Sequence, residues 1–158
     1  MTNNFETDFN NIIVEVYHNL LLMEETKRKY SKASFSFRDR NALTYLSRHD
    51  GGKNISDIAS YLRISRPSAT VLIKKLDKYG FVRKHPEPGN ERQTIVSLTK
   101  KGRLFAAFQK RYRKRLTEAV CDGLSDDERE ALYKGICRMN DFFIDTIEEM
   151  EKIHPKKK

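Results

Sequence analysis

The sequence predicts a mainly α chain with one small β-hairpin, an α+β class in which long helices flank a compact middle. Three observations carry this. Apolar residues recur at helical spacing over most of the chain. That period stops at Gly80, where two short β-prone runs surround a Pro/Gly/Asn cluster. Long amphipathic stripes then lie near both ends, longer than a small middle domain can cover.

Residues 5–30 read as one helix, its stripe formed by Phe5, Phe9, Ile12, Val16, Leu20 and Met23 and widened by Ile13 and Tyr17. "SKASFSF" breaks the pattern. A second helix is expected from Phe37 to about Arg48, carrying Leu43, Tyr45 and Leu46, and "HDGGKN" follows as a turn cluster. Ser56 is a candidate N-cap for a short helix that turns Ile58, Ala59 and Leu62 inward. The next helix has Ser65 as N-cap, Pro67 in its first turn and Gly80 as its stop. Its buried stripe is Ala69, Leu72, Ile73 and Leu76.

Two helices joined by so short a turn are the pattern of a helix-turn-helix. "FVRKH" and "TIVSL", separated by "PEPGNERQ", then read as a hairpin, placed as a wing. Ile95 interrupts the alternation of the second strand and leaves its register open. Thr99 can cap a helix carrying Leu104, Phe105, Phe108, Tyr112, Leu116 and Val120. Ser125 and Glu128 stand at capping-box spacing before a last helix with Leu132, Ile136, Met139, Phe143, Ile147 and Met150.

The expected organisation is therefore an N-terminal dimerisation helix at 5–30 and a winged helix-turn-helix at 36–99. C-terminal dimerisation helices follow at 100–152, and a basic tail at 153–158 is expected to be disordered. The end helices are expected to cover their stripes against a second copy of the chain.

The charge narrows the partner. In 158 residues, Lys and Arg number 31 against 22 Asp and Glu, for a net charge of +9. Clustered basic residues favour an anionic partner. The surface arc of the helix after Ser65 holds Pro67, Thr70, Val71, Lys74 and Lys78, with Arg66 and Ser68 beside it and no acid. A solvated face usually mixes both signs, and an exposed valine among lysines is awkward in water. Against stacked bases it is reasonable, because a major groove offers both hydrogen-bonding edges and the thymine methyl. Double-stranded DNA is thus the expected partner, read by Arg66, Ser68, Thr70, Val71 and Lys74. At the wing tip, Asn90, Glu91 and Arg92 are placed to meet a minor groove. Arg83, Lys84, Lys100 and Lys101 are candidates for holding phosphates.

A second basic block, Lys110, Arg111, Arg113, Lys114 and Arg115, lies roughly 15–22 Å further along its helix than the wing. It can touch flanking phosphates, dock an acidic protein or be a solvated face.

No constellation for catalysis or metal binding emerges, so neither an enzyme nor a cofactor is expected. His18, His49, His85 and His154 are scattered, and there is no phosphate loop or nucleophile elbow. Cys121 and Cys137 lack metal-ligand spacing and are compatible with a reducing compartment. The longest apolar run near the N-terminus, Leu20 to Met23, is too short for a signal peptide or a span, so a soluble, cytoplasmic protein without membrane contact is expected.

These residues resemble the MarR family of transcription regulators over about residues 5–152. The resemblance rests on "ISDIASYLRISRPSATVLIKKLDKYGFVRK", on "NERQTIVSLTKKG" and on helices flanking both sides. It implies a homodimer with interlocked first and last helices, each winged helix binding half of a pseudo-palindrome. Recognition roles then fall on Arg66, Pro67, Ser68, Thr70, Val71 and Lys74, and the wing arginine is Arg92. Many members carry an aspartate two residues before that arginine, where this chain has Asn90. The reactive N-terminal cysteine of the organic-peroxide sensors is also absent.

"YHNLLLMEE", "LTKKGRLFAAFQKRYRKR" and "DGLSDDE" look like the branch that represses fatty-acid synthesis genes in Gram-positive bacteria. That similarity implies a long-chain acyl group on acyl carrier protein as corepressor. The basic block would dock the acidic carrier, and Leu20, Met23, Phe35 and Phe37 would lie near an acyl tunnel. Two other classes stay open: a dimeric adaptor for acidic proteins without specific DNA readout, and a non-specific architectural DNA binder.

Overall fold

The computed structural model describes residues 2–30 and 35–153. Much of the expected break at 31–37 and nearly all of the expected tail, including His154, lie outside the described residues. Ile153, assigned above to the tail, is instead the last residue of a helix.

The element order is α1 (Thr2–Tyr30), α2 (Phe37–Leu46), β1 (Lys53–Asn54), α3 (Ile55–Tyr61), α4 (Arg66–Lys78), β2 (Val82–Glu87), β3 (Asn90–Leu98), α5 (Lys100–Cys121) and α6 (Asp126–Ile153). The chain divides into two compact units, Met1–Arg111 and Tyr112–Lys158, and α5 begins in the first and ends in the second.

The first unit is organised by local chemistry at the helix ends. Ser36 and Asp39 form a reciprocal capping box at the start of α2. The N-cap of α3 is Asn54 rather than the expected Ser56: its Oδ1 accepts from the Asp57 amide at 2.8 Å. Asn54 is also the last residue of β1, so its backbone is already extended, as an N-cap requires. Ser65 caps α4 through the Ser68 amide, and Gly80, at φ +72°, follows the helix end.

Leu43, Ile58, Ile73, Leu76, Val82 and Val96 are the largest fully buried side chains. The expected inward stripe of α4 is the observed one: Ala69, Leu72, Ile73 and Leu76 are all buried.

The sheet is antiparallel with order β1-β3-β2, so β3 is the central strand. This accounts for Ile95. Ile95, Val96, Ser97 and Leu98 are all buried, because both faces of this strand are covered. The Gly52 turn lies against Ile95 so closely that a Cβ there would stand 2.7 Å from its Cγ2. The hairpin turn is tighter than the sequence indicated, with Glu87 opposite Asn90 around Pro88 and Gly89. Pro86 then pairs with Thr94, which leaves Glu91, Arg92 and Gln93 without partners across the strand.

In the second unit, α6 has no buried residue among those described. Ser125 and Glu128 form the expected capping box, with the Ser125 amide donating to Glu128 Oε2 at 2.8 Å and the Glu128 amide donating to Ser125 Oγ at 3.3 Å.

Candidate nucleic-acid interface

The outward arc of α4 keeps the character its sequence suggested. Pro67, Ser68, Val71, Lys74 and Lys78 are exposed, and Thr70 is half-buried. Val71 is 69% exposed, so no neighbouring helix shelters it. The only acid of α4, Asp77, pairs with Lys84 of β2 at 3.5 Å. Lys75 is also taken up locally, by Asp39 Oδ2 at 2.5 Å.

Two hydroxyls on this arc are partly used within the helix. Thr70 Oγ1 donates to the Arg66 carbonyl at 2.9 Å, so it faces outward as a methyl and an acceptor. Ser68 Oγ lies 2.8 Å from Ser65 Oγ.

Among the expected phosphate contacts, Lys101 is engaged in the fold. Its ammonium donates to the Tyr79 carbonyl at 2.8 Å and lies 4.5 Å from the centre of the Phe81 ring. Arg83 Nε donates to Ser97 Oγ at 3.3 Å, and Lys84 is held by Asp77. Lys100 is exposed.

At the wing, Asn90 Nδ2 donates to Gln93 Oε1 at 3.4 Å. Arg92 is exposed and lines an open groove of about 470 Å³. Arg66, Asn90, Gln93 and Thr94 line it too, together with Asn54, Ile55 and Ser56 from the start of α3. The sequence reading placed Arg66 and Arg92 on separate surfaces, and the structure brings them to one. It did not single out Asn54, Gln93 or Thr94, and it took Ser56 only as a helix cap. The signal for Asn54 was present as an N-cap residue three before Asp57.

The expected effector residues are placed differently from one another. Phe35 packs edge-on against Phe81, with ring centroids 4.8 Å apart, and against Tyr79 and Phe105. It is thus part of the winged-helix core. Phe37 is 63% exposed, under the Arg40 guanidinium at 5.9 Å. Leu20 is exposed and Met23 half-buried on α1.

In the basic block of α5, Lys110, Arg111, Arg113, Lys114 and Arg115 are all exposed. Lys114 pairs with Glu118 at 3.4 Å. Cys121 and Cys137 are half-buried free thiols. Among the described residues no cluster of His, Cys, Asp or Glu could hold a metal ion. No helix there is long and apolar enough to cross a membrane.

Comparison with known proteins bears most directly on the middle of the chain. The MarR family model matches residues 35–93, which hold the helix-turn-helix and most of the wing. That match covers less than half of the chain. The uncharacterized HTH-type transcriptional regulator YfiV of Bacillus subtilis (strain 168) is 28% identical over 109 residues, 68% of this chain and 67% of that protein. Among solved structures, Streptococcus pneumoniae FabT in complex with DNA superposes with a TM-score of 0.74 at 23% identity, covering 89% of this chain and 98% of that one. Staphylococcus aureus MepR bound to ethidium bromide gives 0.65 at 17% identity, over 85% and 96%. At such identities these likenesses show the fold alone. The sequence reading of a MarR-type winged helix agrees with the family match over residues 35–93.

Proposed function

We propose that the chain is a sequence-specific DNA-binding repressor, acting as a homodimer on pseudo-palindromic operators. Each protomer lays α4 in the major groove of one half-site. Arg66, Pro67, Ser68, Thr70, Val71, Lys74 and Lys78 face the DNA, and the wing carrying Asn90 and Arg92 lies against the adjacent minor groove. Lys101 serves mainly to brace the end of α4 and only secondarily as a phosphate contact. The observation that carries the reading is Val71: 69% exposed, on an arc with cationic and hydroxyl side chains, and with the one acid of the helix tied to β2. Such a surface suits base edges and thymine methyls better than water.

A dimer is supported by the long helices. Phe5, Phe9, Ile12, Val16 and Leu20 of α1 are each at least 50% exposed in the single chain, as are Leu104, Phe108 and Leu116 of α5 and Phe142, Phe143 and Met150 of α6. A second copy can cover such stripes.

For the effector, the resemblance to the fatty-acid branch supports a long-chain acyl group on acyl carrier protein as corepressor. Lys110, Arg111, Arg113, Lys114 and Arg115 offer the acidic carrier a docking face. Leu20, Met23 and Phe37 are the residues offered to the acyl chain, with Phe35 behind them in the core. Replacing the five basic residues by Glu is expected to abolish binding of acylated carrier in a pull-down. Retained binding would remove the docking face.

The DNA reading is tested by in vitro selection. Purified protein is mixed with sheared genomic DNA at about 150 mM salt, and the bound fragments are sequenced. Enrichment of a few pseudo-palindromes, half-sites about one helical turn apart, is expected. Uniform recovery, with or without acylated carrier, would favour an architectural binder, and no recovery at all an adaptor for acidic proteins.

A further inference from the structure

We infer that Arg66 and Arg92 together hold one backbone phosphate of the DNA, in the groove between α4 and the wing. This rests on the DNA reading above and gives these two arginines a different task from base recognition.

The first argument is where the hairpin breaks. Glu91, Arg92 and Gln93 have no partners on β2, so β3 bulges at Arg92. A bulge re-aims the side chains it carries. Here Arg92 comes to line the same groove as Arg66, the first residue of α4.

The second argument is charge. Among the described residues no acid lines the groove. Neither arginine has an ion pair with another described side chain, and Asn90 is bonded to Gln93. Two guanidinium groups facing one groove repel, and an anion between them turns that repulsion into two charge-assisted contacts. The remaining polar lining, Asn54, Ser56, Gln93 and Thr94, is of the types that bond phosphate oxygens without reading sequence.

The third argument names the source of the anion. A helix in the major groove and a wing in the adjacent minor groove are necessarily separated by one sugar-phosphate strand. That strand runs through the space between α4 and the wing, which is this groove. A backbone phosphodiester therefore fits better than a free anion.

The test uses the full-length protein and two labelled duplexes of equal length, one recovered by selection and one scrambled. Affinities are measured by fluorescence anisotropy from 50 to 200 mM salt for the wild type, Arg66→Ala, Arg92→Ala and the double variant. Both side chains are exposed, so thermal melts should be unchanged. Each single variant is expected to bind both duplexes about tenfold more weakly, preserving their ratio. The double variant should lower the slope of log affinity against log salt by about 1, the value for one phosphate. A fall of about 2 would mean two separate phosphates and overturn the shared clamp. So would a loss confined to the selected duplex, which would make Arg66 or Arg92 a base reader. Wild-type protein that ignores both sequence and salt would instead overturn the DNA reading, and the clamp with it.

Discussion

Gly102 shows how one residue fixes the junction between the winged helix and α5. A Cβ built there would stand 2.0 Å from the Phe81 carbonyl oxygen, a backbone atom that cannot swing away. Around it, Thr99 Oγ1 accepts from the Gly102 amide at 3.1 Å and donates to the Gly80 carbonyl at 2.7 Å. Gly102→Ala should therefore destabilise the fold by about 2 kcal/mol or more through overpacking, read as a lowered melting temperature; an unchanged melt would mean that α5 tilts freely. Arg63 carries the opposite kind of strain. It is the one non-glycine residue at positive φ among those described (+51°), in the turn between α3 and α4, where the Ile64 amide reaches back to the Ala59 carbonyl at 3.0 Å. Arg63→Gly should relieve a left-handed penalty of about 1–2 kcal/mol and add about 0.5–1 kcal/mol of chain entropy cost, for a small net gain in stability. A loss would show that the arginine side chain, not the backbone, sets that turn. Val71→Ala is expected to relax base preference at one position of each half-site, at about 1–3 kcal/mol, the cost of one mismatch; equal weakening on all sequences would remove Val71 from the readers. The exposure of Val71 was legible from helical spacing alone. The tasks of Gly102 and Lys101 were not, because both depend on carbonyls of a segment distant in sequence.

At the scale of elements, the ends of the helices decide how they are held. Adjacent residues of α2 reach in two directions: Arg40 to Glu24 of α1, and Asp39 to Lys75 of α4. Arg40 also donates to the Phe35 carbonyl at 2.9 Å. Its hydrogen bond and charge hold the Glu24 carboxyl below the usual carboxylate range, against a smaller upward push from burial. A depressed acid stabilises the fold at pH values above its unfolded pKa, and that contribution is lost as pH falls through the folded value. Glu24→Gln should thus lower the melting temperature near neutral pH and converge with the wild type in acid. Parallel curves would show that the pair contributes nothing through ionisation. Asp39 is buried at 3% exposure, so Lys75→Met should cost about 1–3 kcal/mol, less than the loss of a fully enclosed partner because Lys75 keeps 35% side-chain exposure. Periodicity made α1, α4, α5 and α6 legible, with the caps at Ser65, Thr99 and Ser125. The two-residue β1 was hidden in a turn cluster, since a strand so short has no period. Its pairing with β3 is what moved the cap from Ser56 to Asn54. The bulge at Arg92 was likewise invisible, because register depends on which residues pair across the turn.

At the scale of the whole molecule, the apolar stripes of α1, α5 and α6 remain exposed in a single chain, while the core of the first unit is complete. Burying such stripes contributes about 25 cal/mol per Å² of apolar area, so a second copy is the expected cover. Placing two charges there, as in Leu116→Glu with Phe143→Glu, should convert a dimer to a monomer in sedimentation while the winged helix stays folded. A wild-type monomer would remove the dimer itself. The winged helix and its outward arc were legible in the sequence because local pattern and burial agree there. The groove shared by Arg66 and Arg92 was not, being assembled from three segments. The most direct test of the account is a titration of a duplex recovered by selection against one with a single scrambled half-site. Two protomers per intact duplex are expected, with an affinity at least about 10³-fold above that for fully scrambled DNA and a marked loss when one half-site is scrambled. Equal affinity for all three duplexes would contradict the claim that this surface reads DNA sequence.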